Sequence, residues 1–74
     1  MIGTEVGAAV SFRREFLGMT QLELSLASGV TPSHLHSIVK GRVSPTLMTL
    51  ERIARALNSD VYGLLRTAYR IKKQ

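Results

Sequence analysis

Between Thr4 and Arg70 the apolar residues recur at intervals of three and four, the spacing of one helical face. No stretch alternates long enough for a strand, and no two-residue hairpin signal occurs. The pattern predicts five helices. The first opens near Thr4, whose hydroxyl can cap the first turn, and runs to about Leu17. It turns Val6, Ala9 and Val10 inward, with part of Phe16 or Leu17, and Gly18 stops it. Thr20 caps a second helix, Gln21 to Ser28, and Gly29 supplies the left-handed residue that ends it. Thr31 caps a third, with Pro32 at the first helical position, where a missing amide is harmless. That helix ends at Gly41. Pro45 and Thr46 introduce a fourth, with Leu47, Leu50, Ile53, Ala54 and Leu57 on one stripe, and Asn58 closes it. Ser59 or Asp60 caps a fifth, from Val61 towards Arg70, leaving Lys72-Lys73-Gln74 frayed. The expected fold is a compact all-α domain.

Composition narrows the class. Seventy-four residues make a single domain, 1–74, near the lower limit for a fold without a staple. Cysteine is absent, which excludes disulfides and thiolate metal sites. At 45% hydrophobic and 20% charged, the chain is far from the composition of disordered proteins. No apolar run approaches the ~20 residues of a membrane span. The amino terminus also lacks a basic region followed by an apolar stretch. The expected location is the cytoplasm, with no membrane partner. Net charge is +5, from ten Lys and Arg against five Asp and Glu. Such a surplus favours an anionic partner, most often nucleic acid, over a merely basic surface.

The stretch "TQLELSLASGVTPSHLHSIVKG", residues 20–41, gives the charge a place to act. Its two helices flank a turn holding Gly29 and Val30, and so tight a connection forces a steep crossing, the helix-turn-helix arrangement. Val30 is expected to plug the crossing, and Leu24 with Ala27 and Leu35 with Ile38 to supply the shared core. Successive residues rotate by about 100°. With Leu35, Ile38 and Val39 inward, Ser33, Ser37 and Lys40 point outward, flanked by His34 and His36. Hydroxyls and imidazoles can donate or accept at base edges in a major groove.

The run "GMTQLELSLASGVTPSHLHSIVKGRVSPTLMTLERIARALNSDVYGLL", residues 18–65, resembles the lambda-repressor/Cro-like (XRE) helix-turn-helix family. The shared marks are Thr20-Gln21, the turn glycine, Leu35-x-x-Ile38, Lys40-Gly41-Arg42, and Pro45-Thr46-Leu47 before "LERIARAL". The resemblance implies a five-helix lambda-repressor-like domain. It implies phosphate contacts from Gln21, Lys40, Arg42, Ser44 and Thr46, with Thr31 placed among them. It implies base contacts from Pro32, Ser33, His34 and Ser37, with His36 in reach. Pro32 can offer only van der Waals contact. The resemblance also implies dimerisation through the last helix, about 60–71, where Val61, Tyr62, Leu65 and Tyr69 are the expected interface residues.

The chain departs from the family pattern in three ways. An arginine at the position of Arg14 commonly pairs with a glutamate where Val39 stands, so Arg14 must find another partner or stay solvated. Ser25 and Ser28 replace the frequent alanine and leucine. Leu22 and Leu26 occupy positions that are normally charged. Either Phe12 or Phe16 reaches across to bury these leucines, or they form an exposed apolar patch for a protein partner.

Other chemistries find little support. His34 and His36 lie two apart and point roughly 160° from each other, so they cannot share a metal ion. No carboxylate stands ready to complete a Ser–His nucleophilic site. The expectation is therefore no enzyme, no cofactor and no metal. The predicted function is a sequence-specific regulator of transcription, binding double-stranded DNA as a homodimer on a (pseudo)palindromic operator. RNA polymerase or another protein is a further expected partner. The rival is a protein-interaction module or antitoxin-type protein that keeps the fold and docks a partner through Leu22 and Leu26. The layout suits bacterial, phage or plasmid control proteins.

Overall fold

A computed structural model describes residues 3–73. Five helices follow one another: α1 (Gly3–Phe16), α2 (Gln21–Ser28), α3 (Pro32–Val39), α4 (Leu47–Ala56) and α5 (Val61–Lys73). The described residues contain no strand. The core gathers Val6, Ala9 and Val10 of α1, Leu24, Val30, Leu35 and Ile38, then Leu50, Ile53, Ala54, Leu57, Leu64 and Ala68. α1 lies along α5 on one side and crosses α3 on the other, while α2 packs on α3 and α4.

Polar residues at the helix ends set the boundaries. Thr20 and Glu23 form a reciprocal capping box: the Glu23 amide donates to the Thr20 hydroxyl at 3.0 Å, and the Thr20 amide to the Glu23 carboxylate at 2.8 Å. The hydroxyls of Thr31 and Thr46 accept from His34 and Thr49 in the same way. Asp60, rather than Ser59, caps α5, its carboxylate accepting from the Gly63 amide at 2.7 Å. Gly29 closes α2 at φ 74°, a conformation that Cβ-bearing residues rarely adopt.

Several sequence expectations are corrected. Thr4 lies inside α1, already helical at Gly3, and caps nothing. Phe16 and Leu17 are exposed; Phe16 sits about 70° round the axis from the middle of the buried stripe of Val6, Ala9 and Val10, and Leu17 lies just beyond the helix. Leu47 is exposed too; it sits in the first turn of α4, about 70° from the middle of the buried stripe. α3 ends at Val39, with Lys40 as its cap and Gly41 following at φ 72°. α5 continues through Lys72 and Lys73, so these lysines are helical; Gln74 lies outside the described residues.

Arginines α1 supplies tie the domain together. Arg13 donates through Nε to the Leu57 carbonyl at 3.0 Å and through a terminal nitrogen to Asn58 at 3.3 Å. It thereby serves carbonyls that the end of α4 leaves without intrahelical partners. Arg14, without its glutamate, donates to the Met19 carbonyl at 2.6 Å and stands 3.4 Å from Glu15. The lost ion pair is replaced by a cap on the α1–α2 turn.

Candidate nucleic-acid interface

Buried serines, not alanine, lock the helix-turn-helix. Ala27 is exposed, whereas Ser25 and Ser28 are buried beside Leu24, because the inward stripe of α2 leans towards positions 25 and 28. The Ser25 hydroxyl donates to the Val30 carbonyl. The Ser28 hydroxyl donates to the Ser25 carbonyl and accepts from the Val30 amide, both at 3.3 Å. Val30 then sits buried at the crossing with its backbone polar groups paired, as the desolvated turn requires. These serines went unassigned in the sequence reading; hydroxyls bracketing a Gly-Val turn were the available signal.

Leu35 and Ile38 are fully buried and fix the rotation of α3. Pro32, Ser33, His34, His36 and Lys40 are consequently exposed, and Ser37 is half-buried on the same side. Ser33 and Ser37 stand one turn apart near the centre of the open face, with the imidazoles on its two edges. The chain beyond α3 folds back, the Arg42 amide donating to the Ser37 carbonyl at 2.9 Å. Lys40 and Arg42 are thereby held at the foot of the exposed face, followed by exposed Ser44.

Among the expected phosphate contacts, Gln21 is half-buried at the start of α2, while Thr31 and Thr46 are exposed at the starts of α3 and α4. The hydroxyls of these threonines are engaged in capping. The caps take up the His34 and Thr49 amides and Pro32 has none, which leaves the Ser33 amide on α3 and the Leu47 and Met48 amides on α4 without intrahelical acceptors and open to an anion.

Leu22 and Leu26 are 59% and 76% exposed, so Phe12 and Phe16 do not cover them. On α5, Val61 is half-buried against the core, and Tyr62, Leu65 and Tyr69 are exposed. No three His, Cys, Asp or Glu side chains are grouped to hold a metal among the described residues. No described helix is long and apolar enough to cross a membrane.

Comparison with known proteins agrees with this geometry. The helix-turn-helix family model HTH_3 matches residues 12–64, from the last turn of α1 into α5. An HTH-type transcriptional regulator of Methanothermobacter thermautotrophicus is 47% identical over 47 residues, 64% of this chain and 68% of that protein. The immF control region 10 kDa protein of Bacillus phage phi105 is 31% identical over 72 residues, 97% of this chain and 80% of its own. Among solved structures, the clp gene regulator ClgR from Corynebacterium glutamicum superposes with a TM-score of 0.87 at 30% identity, covering 93% of this chain and 90% of that one. With its capped helix pair and the matched span from α1 into α5, the chain belongs to the lambda-repressor/Cro-like (XRE) helix-turn-helix family of regulators.

Proposed function

We propose that this protein is a regulator of transcription that binds double-stranded DNA sequence-specifically, as a homodimer on a (pseudo)palindromic operator. α3 enters the major groove, with Ser33 and Ser37 as central readers, His34 and His36 beside them, and Pro32 in van der Waals contact. Gln21, Thr31, Lys40, Arg42, Ser44 and Thr46 hold the phosphates and set register without specifying sequence. Tyr62, Leu65 and Tyr69, with Val61 at their edge, form the dimer contact and set half-sites about 10 bp apart or a multiple of it. The carrying observation is the division of α3 into one face locked by Leu35 and Ile38 and one open polar face bordered by Lys40 and Arg42.

Selection of binders from a random duplex library at physiological salt tests this reading. Enrichment of a two-fold symmetric motif is the expected result. Retention without a shared motif reduces the activity to backbone-driven binding, and no retention removes it.

The exposed Leu22 and Leu26 support a second reading, a protein partner docked on α2. Leu22→Glu would abolish that docking and leave DNA binding intact, whereas Ser33→Ala with Ser37→Ala would do the reverse.

A further inference from the structure

The open face of α3 carries two serines along its middle and an imidazole on each flank. Successive residues turn by about 100°, so Ser33 and Ser37 lie about 40° apart, while His34 and His36 each stand about 80° from their midline, on opposite sides. Both histidines are exposed, and neither imidazole takes part in an ion pair among the described residues. α1 and α2 pack on α3, and they bring Glu5, Arg13, Arg14, Glu15 and Glu23. The Glu23 carboxylate is held by the Thr20 amide, Glu15 stands beside Arg14, and both arginines serve backbone carbonyls. Glu5, half-buried in the first turn of α1, makes no ion pair among the described residues. From Pro32 to Thr46 the charges are Lys40, one turn beyond His36, and Arg42. No carboxylate is therefore paired with either imidazole in place of an outside anion.

Resting on the DNA-binding reading above, we propose that His34 and His36 act as a pair of proton-dependent clamps, each gripping backbone phosphates on one wall of the groove. A helix with its side chains is about 10–12 Å across, and the major groove is about 12 Å wide. α3 therefore fills the groove, its middle facing the base edges and its flanks facing the two sugar–phosphate strands. The short, central serines suit the floor, and the imidazoles stand where the walls are. A neutral imidazole has one hydrogen to donate; an imidazolium donates from both nitrogens and brings a charge to the phosphate. Imidazole is the side chain that ordinarily changes charge between about pH 5 and 8. A phosphate beside it favours the charged form. Binding then takes up protons, and affinity falls as pH rises through that range. Lys40 and Arg42 grip throughout it, whereas the histidines add their charge only towards its acidic end.

Fluorescence anisotropy of the full chain on the selected operator and on a scrambled duplex tests the clamps at about pH 8 and about pH 5.5, the two ends of the imidazole range. Circular dichroism checks folding at both. The wild type is expected to bind both duplexes more tightly at the lower pH, roughly fivefold per imidazole, the order of one exposed charge contact. Its slope of log K against log salt should steepen there by about 2 per subunit, from two added phosphate contacts. His34→Gln and His36→Gln, neutral throughout, should each remove about half of this gain, and the double variant all of it. His36→Lys, charged throughout, should keep at the higher pH the affinity that His36 supplies only at the lower. An affinity independent of pH, or a gain that survives in the double variant, overturns the clamps and leaves the DNA-binding reading standing. So does a gain confined to the operator, which would set the imidazoles on base edges instead. No binding to either duplex at either pH sinks both.

Discussion

Gly7 is the residue whose replacement the structure penalises most directly. A Cβ there would stand 2.6 Å from the Ile38 carbonyl oxygen and closer still to that of Val39. α1 can therefore cross the end of α3 only where a side chain is missing. Alanine normally favours a helix over glycine by ~1 kcal/mol. Here the obstacle is backbone, which cannot swing aside, and overpacking of this kind typically costs about 1–3 kcal/mol. Gly7→Ala is thus expected to lower the thermal midpoint by several degrees, and it would also shift α3 relative to α1. A melt showing equal or greater stability would contradict the close approach. Ser25→Ala acts differently, leaving the buried Val30 carbonyl without its hydroxyl donor. Loss of about 1–3 kcal/mol is expected in urea denaturation, the range for a buried group left unpaired. Neither role was legible beforehand. A glycine in a helical run does not announce what lies opposite it, and Ser25 and Ser28 read as substitutions in the family pattern before their partners were visible.

The starts of α2, α3 and α4 and the turn after α2 were legible because local chemistry decides them, whereas the start of α1 and the ends of α3 and α5 were not. Thr20, Thr31 and Thr46 each cap the helix they precede, and Gly29 turns the chain where its positive φ is needed. The stripes of α1 and α4 were right at their centres and wrong at their ends, at Phe16 and Leu47. Periodicity gives a direction around the axis but does not say where the neighbouring helix stops. Ala27 failed for a related reason: it lies on the wrong edge of the α2 stripe, and hydrophobicity alone favoured it over the serines. The orientation of α3 was fully readable, because Leu35 and Ile38 leave it no other rotation. That orientation makes a paired prediction for the element. Ser33→Ala with Ser37→Ala is expected to reduce affinity for the selected operator by about 1–3 kcal/mol per altered base contact, with little change on random DNA. Fluorescence anisotropy on both duplexes checks it; an equal loss on both would assign the serines to the backbone.

At the scale of the whole molecule, the net charge of +5 makes association with DNA salt-dependent, and the interface fixes by how much. Of the expected phosphate contacts only Lys40 and Arg42 carry charge; Gln21, Thr31, Ser44 and Thr46 act as neutral donors and release no counterions of their own. Each neutralised phosphate contributes about 0.9 to the slope of log K against log salt on B-form DNA. A monomer using these cations would show a slope near −2. A dimer engaging both copies would double it to about −4. Lys40→Gln removes one such contact per subunit and should flatten the dimer slope by about 2 while weakening all sequences alike. A titration from low to moderate salt therefore tests stoichiometry and contact set together. A slope well steeper than −4 would mean that Arg52, Arg55 or the α5 lysines also reach the duplex.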